Sequence, residues 1–114
     1  MVDQVVVYGD HEQLHELQKL APGIRVMPEA GTGSYLRTGQ LLLKPTVVAF
    51  DQNDFKADTI AQALKEKEDI FVDRLGDQDT PQLWQNAIDR GVRGIQTNHP
   101  AELVEFLREK RLHP

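Results

Sequence analysis

Cysteine is absent from this sequence of 114 residues. The chain can therefore form no disulfide, no thiolate zinc site and no cysteine nucleophile. The absence of cysteine does not indicate whether the protein works in an oxidising or a reducing compartment. No apolar run approaches the roughly 20 residues that a membrane-spanning helix needs. Met1 to Gln4 show no basic segment leading into an apolar stretch, so we expect no signal peptide. The net charge of −5 comes without a basic stripe, which argues against nucleic acid as a partner.

The remaining composition is that of one ordinary folded domain, which we expect to span residues 1–114. Hydrophobic residues make up 39% and charged residues 27% of the chain. Short apolar runs alternate with amphipathic segments, a pattern that predicts βα units and a parallel α/β sheet. The predicted strands are Val5–Tyr8, Ile24–Met27, Thr46–Phe50, Ile70–Val72 and Val92–Thr97. A helix is expected after each of them, including a short one within residues 34–43. The first helix is expected to present one apolar side, formed by Leu14, Leu17, Leu20 and Ala21.

The last third of the chain carries a family resemblance. It contains the run Gly91-Val92-Arg93-Gly94-Ile95-Gln96-Thr97-Asn98-His99-Pro100, followed by Glu102 to Arg108. This run resembles the closing unit of the glycerophosphodiester phosphodiesterases, a family with a phospholipase-C-like TIM barrel. The preceding unit, from Phe71 to Trp84, also resembles the family. The sequence departs from it by having Asn98 where the family has aspartate and Phe71 where it often has tryptophan.

The resemblance implies a fold, a reaction and a cofactor. The fold would be a partial (β/α) barrel of about five strands, out of the eight in a complete barrel. The family reaction is hydrolysis of glycerophosphodiesters to glycerol 3-phosphate and an alcohol, and the family uses a divalent metal, Ca²⁺ or Mg²⁺. The family's catalytic His-Arg pair, Glu-x-Asp and second histidine would belong to segments before Val5. The sequence contains no His-Arg pair and no Glu-x-Asp, so we expect the chain alone to be inactive and to bring no metal site.

Strand patterning predicts a partner. Val5 and Val7 point to one side of the first strand, and Val6 and Tyr8 point to the other, so both faces of the sheet carry apolar side chains. Helices cover one face only, and the other would expose an apolar patch and two sheet edges. We therefore expect either a homo-oligomer or a complementing N-terminal half-barrel.

Polar residues at the strand ends form the candidate site. In a parallel barrel, side chains at the carboxyl ends of the strands meet at one mouth. The residues expected there are Tyr8, Glu29, Asp51, Asp73, Asn98 and His99. Gly31, Gly33 and Ser34 follow the second strand and could cradle a phosphate at a helix start. The competing interpretation is that the strand-end carboxylates cap helices, as Asp10 is expected to do.

His11-Glu12-Gln13-Leu14-His15 matches the His-Glu-x-x-His pattern of zinc metalloproteases. We expect both histidines to face solvent or the rim, and no third ligand follows. Three interpretations thus stay open. The chain is a phosphodiesterase-like domain, a non-enzymatic, self-associating truncated barrel that binds at most small anions, or a zinc protein.

Overall fold

A computed structural model describes residues 5–113. Strands and helices alternate strictly along this part of the chain. The strands are β1 (Val6–Gly9), β2 (Arg25–Pro28), β3 (Val47–Phe50), β4 (Asp69–Asp73) and β5 (Gly94–Gln96). The helices are α1 (His11–Leu20), α2 (Gly33–Leu43), α3 (Ala57–Lys65), α4 (Pro81–Asp89) and α5 (Pro100–Glu109), with a 3-10 turn at Gly76–Gln78. This order confirms the five predicted βα units, including the helix within residues 34–43.

The strands are parallel and follow one another in chain order. β1 pairs with β2, while β3, β4 and β5 form a second ladder. Between the two ladders lies an isolated parallel bridge of Glu29 with Ala49, where Ala30 N donates to Ala49 O at 2.8 Å. The result is an open sheet that runs from β1 to β5, which confirms the partial barrel. None of the helices within residues 5–113 combines the length and apolar character needed to cross a membrane.

The core lies between the sheet and the helices. Alternate residues of β3 and β4 face this core: Val48, Phe50, Ile70 and Val72 are each at most 2% exposed. They pack with residues of α2, α3 and α4, namely Leu36, Ile60, Ala63 and Ala87. Burying each large side chain contributes about 1.5–3 kcal/mol. A separate, smaller cluster of Leu14, Val26 and Leu43 joins α1 and α2 to β2.

The helix starts follow the sequence closely. Asp10 caps α1 by accepting a hydrogen bond from Gln13 N at 2.8 Å, as expected. Thr80 caps α4 by accepting from Leu83 N, and Pro81 occupies the first turn, where its missing N–H costs nothing. These caps set where each helix begins after its strand, and therefore where the loops above the sheet are placed.

Two expectations about the first unit were wrong. His11 was expected to face solvent or the rim, but it is 8% exposed and its ring stacks on Tyr35 with centroids 4.0 Å apart. Gly39 makes room for it, since a Cβ there would lie 2.6 Å from His11 Nε2. Leu20, expected on the inner side of α1, is 84% exposed. The apolar positions of α1 therefore do not all share the buried side, and a histidine fills part of it.

Candidate functional site

A groove of about 520 Å³ opens on the face of the sheet that the helices leave uncovered. Strand alternation sends Ala49 and Asp51, and likewise Phe71 and Asp73, to this face. Because Asp51 and Asp73 follow or end their strands, the groove lies toward the carboxyl ends. The lining residues are Tyr8, Met27, Glu29, Ala49, Phe50, Asp51, Phe71, Val72, Asp73, Ile95 and Gln96. Four of the predicted site residues, Tyr8, Glu29, Asp51 and Asp73, are thus brought together.

Phe71 forms part of the groove floor by lying over β5. The register pairs Phe71 with Gly94, and a Cβ at Gly94 would be 2.6 Å from Phe71 Cε2. Real Cβ atoms do not tolerate such a contact, so only glycine lets the ring rest there. The ring consequently has one side against the backbone of β5 while it borders the groove.

Two carboxylates stand side by side above this floor. The register of β3 and β4 pairs Ala49 with Phe71, so Asp51 and Asp73 follow on neighbouring strands, about 4.8 Å apart in the pairing direction. Asp73 accepts a hydrogen bond from Gln52 N at 2.6 Å, and Asp51 accepts one from Asn53 N at 2.8 Å. Burial raises the pKa of Asp73, the Gln52 N–H opposes this, and the charge of Asp51 raises it further. The rim is therefore an electrostatically crowded, acidic site.

The third carboxylate, Glu29, binds the phenol of Tyr8. The Tyr8 hydroxyl donates to Glu29 Oε2 across the β1–β2 ladder. This hydrogen bond, together with burial and the nearby charge of Glu29, raises the pKa of Tyr8 to about 12. Tyr8 is therefore a neutral hydrogen-bond donor at physiological pH, not a base.

A divalent metal does not fit the residues present. Within residues 5–113, no group of three or more His, Asp or Glu side chains is arranged to hold a metal ion. Glu29, Asp51 and Asp73 offer the oxygen ligands that Ca²⁺ or Mg²⁺ would need. Each of them accepts one hydrogen bond, from a phenol or an amide, and keeps other lone pairs, but their side chains are not gathered into a ligand group within the described residues. We therefore assign no metal-dependent step to this part of the barrel.

The glycine loop expected to cradle phosphate lies outside the groove lining. Gly31 has a φ of +64°, and a Cβ there would meet Tyr35 Cδ1 at 2.7 Å, so glycine serves the turn and the packing of α2. Gly33 begins α2, and its carbonyl accepts a hydrogen bond from Gln62 Nε2 at 3.1 Å. Ser34 uses its carbonyl in the same way, accepting from Thr38 Oγ1 at 3.1 Å. Gly31, Gly33 and Ser34 therefore take part in structural contacts, and phosphate binding by this loop stays a prediction.

Asn98 and His99 also lie away from the groove, in a loop organised by Asp79. Asp79 accepts hydrogen bonds from Trp84 Nε1 at 2.9 Å, from Asn98 N at 2.8 Å and from the Thr97 hydroxyl. His99 Nε2 is 4.0 Å from Asp79 Oδ2. Burial of Asp79 opposes ionisation, but these hydrogen bonds outweigh it and lower the pKa of Asp79. Sequence reasoning missed this centre, although an aspartate before Thr80-Pro81 with a tryptophan one turn later was a visible signal.

The two histidines of the His-Glu-x-x-His pattern do not share one environment. His11 Nε2 lies 3.3 Å from the carbonyl of Glu29, and its ring is enclosed by Tyr35 and Gly39. His15 is half-buried, and its Nδ1 is a buried atom without a hydrogen-bond partner. The burial of the His11 ring contradicts the exposed position that we expected for it.

Comparison with known proteins places this fold. No protein-family profile and no curated protein sequence matches the chain. Among solved structures, a candidate glycerophosphodiester phosphodiesterase from Galdieria sulphuraria superposes with a TM-score of 0.80 at 18% identity, over 95% of this chain and 45% of that one. A candidate glycerophosphoryl diester phosphodiesterase from Silicibacter pomeroyi gives 0.77 at 16%, over 99% and 41%.

A glycerophosphodiester phosphodiesterase from Parabacteroides distasonis gives a TM-score of 0.64 at 21% identity, over 85% of this chain and 40% of that one. The chain therefore spans less than half the length of each of these proteins. Identities this low establish architecture and leave chemistry open. The expected fold is confirmed: the chain has the architecture of part of the barrel found in proteins described as glycerophosphodiester phosphodiesterases.

Proposed function

We propose that the chain is part of a glycerophosphodiester phosphodiesterase-type barrel and supplies one wall of its substrate cavity. The observation that carries this is the groove of about 520 Å³ at the carboxyl ends of parallel strands, in a sheet that superposes on phosphodiesterase structures. Barrel enzymes of this type bind substrate at that end of the strands. The reaction of the completed barrel would be hydrolysis of a glycerophosphodiester to glycerol 3-phosphate and an alcohol.

The chain alone is expected to be inactive. Metal-assisted hydrolysis of a phosphodiester needs a positioned cation and an acid–base pair. The sequence has no His-Arg pair or Glu-x-Asp, and residues 5–113 form no group of metal ligands. Tyr8, with its pKa raised to about 12, is too weak an acid to act alone at neutral pH. A further segment or another chain would bring the catalytic groups.

The open sheet supports the need for a partner. Val5, Val6 and Tyr8 are 42%, 41% and 56% exposed, and β1 and β5 each pair on one side only within residues 5–113. Additional strands paired to β1 and β5 would cover these side chains and close the barrel. The same exposure favours the second candidate, in which copies of this chain associate and no hydrolysis occurs.

Fusion tests the first candidate. The amino-terminal part of the Silicibacter pomeroyi protein, up to its first residue that superposes on this chain, would be fused before Val5. We expect glycerol 3-phosphate release from a glycerophosphodiester by the fusion. Where the added segment carries the His-Arg pair that the family resemblance implies, replacing its histidine by alanine should abolish the release. The 114-residue chain alone should give no release above a Glu29→Gln, Asp51→Asn control. Release by the chain alone would refute its dependence on added groups, and a folded but inactive fusion would count against the proposal.

Sedimentation equilibrium at micromolar concentration tests association. The self-associating alternative predicts that the chain alone exceeds its monomer mass of 12.9 kDa, because association would bury the exposed strand residues. Val6→Lys, which places a charge on the exposed edge strand, should return it to monomer. A purely monomeric wild-type chain would contradict the self-associating alternative.

A further inference from the structure

The exposed leucines within residues 5–113 lie at the carboxyl ends of helices. Leu20 is the last residue of α1, Leu41 and Leu42 belong to the last turn of α2, and Leu64 belongs to the last turn of α3. A fifth, Leu112, follows α5. Each of the five is at least 42% exposed. Because the helices run opposite to the parallel strands, these helix ends lie at the amino ends of the strands, away from the groove.

Three of these leucines lie on the neighbouring helices α2 and α3. Arg37 of α2 and Glu66, which follows α3, form an ion pair at 3.3 Å that joins the two helices. Leu41 follows Arg37 by one helical turn and Leu64 precedes Glu66 by two residues, so both lie near this ion pair. Strands that complete the barrel would be added beside β1 and β5, and would leave Leu41, Leu42 and Leu64 uncovered. We call these three residues the leucine surface.

Basic side chains are concentrated at the same helix ends. The segments around the ends of the five helices are 18–25, 40–46, 63–69, 88–93 and 107–113. They contain ten of the chain's 13 lysines and arginines, but only five of its 18 aspartates and glutamates. A chain whose net charge is −5 therefore carries an excess of positive charge on this face. The helix dipole favours a cation at each helix end, but it does not explain exposed leucines among the cations.

The lysines beside the leucine surface keep their charge available, whereas the acidic residues do not. Lys44, Lys65 and Lys67 are exposed, and none of them forms an ion pair with an acidic side chain of residues 5–113. The acidic residues of segment 63–69 are paired or buried: Glu66 with Arg37, Asp69 with Arg93 at 3.7 Å, and Glu68 at 4% exposure. The charge that this face offers to a partner is therefore positive.

Backbone conformation gives a second, independent indication. Lys44 has a φ of +47°, Lys67 of +60° and Arg111 of +59°, and these are the non-glycine residues with positive φ within residues 5–113. Each follows a helix, at a position where glycine is favoured because it has no Cβ. A basic side chain occupies all three positions in spite of this steric cost, which favours a role for its charge.

We propose that the leucine surface and the lysines beside it bind the surface of an anionic lipid bilayer. The leucine side chains would enter the apolar edge of the bilayer, and the ammonium groups of Lys44, Lys65 and Lys67 would contact lipid phosphates. Apolar burial and attraction to anionic headgroups add at such an interface. A second copy of the chain docked through the same face would bring like charges together, and a nucleic acid would not bury leucines. The groove, at the other end of the strands, would then open away from the bilayer.

Co-sedimentation of the 114-residue chain with lipid vesicles tests this. We expect the chain to partition onto vesicles of mixed phosphatidylserine and phosphatidylcholine and not onto phosphatidylcholine alone, and we expect the partition to fall as salt is added. Lys44→Gln and Lys65→Gln should each weaken the partition about fivefold, because each removes one cation near the anionic surface. The double variant Leu41→Ser, Leu64→Ser should weaken it about tenfold, because it removes apolar burial and no charge.

Lys56→Gln is the matched control for charge. Lys56 is exposed and precedes α3, whereas Lys65 ends the same helix, so the two variants remove the same charge at opposite ends of α3. Val6→Ser is the control for apolar exposure, since Val6 is 41% exposed on β1 and lies outside the leucine surface. Both controls should leave the partition onto mixed vesicles unchanged. If the double leucine variant does not fold, Lys44→Gln and Lys65→Gln carry the comparison with Lys56→Gln.

Three results would overturn the inference: no partition onto the mixed vesicles, equal partition onto phosphatidylcholine alone, or equal weakening by Lys65→Gln and Lys56→Gln. A folded double leucine variant that partitions like wild type would also overturn it, because the leucines would then have no part in binding. The inference goes beyond the proposed function, and none of these measurements involves catalysis. An active fusion protein that ignores the vesicles would refute this inference alone, and vesicle binding beside an inactive fusion would count only against the proposed function.

Discussion

Replacing Asp79 should lower the free energy of unfolding strongly even when the shape of the side chain hardly changes. Asp79→Asn keeps the size of the side chain but turns one acceptor oxygen into an amide donor. The new amide can take two orientations. In one, its NH₂ group faces Asn98 N; in the other, it faces Trp84 Nε1 and the Thr97 hydroxyl. In both, a donor that now binds Asp79 faces another donor. One buried donor left unpaired costs about 1–3 kcal/mol, and the remaining bonds lose their charge assistance, about 1 kcal/mol more. We expect a loss of about 2–4 kcal/mol in the free energy of unfolding.

Urea denaturation followed by circular dichroism measures this loss, and pH separates its cause. The pKa of Asp79 is lowered in the folded chain, so its contribution is full above the unfolded value of about 3.9 and fades as the pH falls through the folded value. Trp84 is the sole tryptophan, and its single indole N–H resonance reports the charge of Asp79 directly. Trp84→Phe removes one donor and should cost less than Asp79→Asn. An indole midpoint near pH 4, or a cost of Asp79→Asn below about 0.5 kcal/mol, would refute the reasoning.

Three further predictions address other parts of the chain. Burial raises the pKa of Glu68, so wild type loses stability as the pH rises from 4 to 7. The free energy of unfolding of Glu68→Gln, measured by urea denaturation, should therefore increase relative to wild type over this range. An equal difference at both pH values would contradict this. Gly94→Ala should cost about 1–3 kcal/mol by overpacking against the aromatic ring on the adjacent strand, whereas Gly33→Ala, with its nearest contact at 3.6 Å, should show no overpacking cost. Glu29→Gln should lower the pKa of Tyr8 from about 12 toward 10 in an absorbance titration at 295 nm, and an unchanged titration would show that the phenol is not bonded as described.

The elements of this fold are predictable because local signals agree with one another. Thr80-Pro81 marks the start of a helix by its chemistry alone, and the apolar runs at Thr46–Phe50 and Ile70–Val72 are long enough to identify buried strands. The carboxyl ends of parallel strands lie on one side of the sheet, and this rule was sufficient to predict that Asp51 and Asp73 lie close together.

The rest depends on contacts between distant residues, which periodicity does not encode. His11 is buried because Gly39, on another helix, leaves space for its ring. Asp79 holds Asn98 through a hydrogen bond that joins loops after two different strands, and this draws Asn98 away from the groove. Tyr8 is exposed because the face beside it has no cover within residues 5–113. In each case the partner lies far along the chain or outside the described residues.

The sheet consists of two blocks of paired strands, which the bridge between Glu29 and Ala49 joins. Each strand pairs only with its neighbour in sequence, roughly 20 residues away, so the blocks can form early and independently, as in low-contact-order folding. The smaller cluster belongs to the first block and the larger one mostly to the second. Tyr8 and Glu29 belong to the first block, and Asp51 and Asp73 belong to the second, so the placement of one block against the other sets the width of the groove.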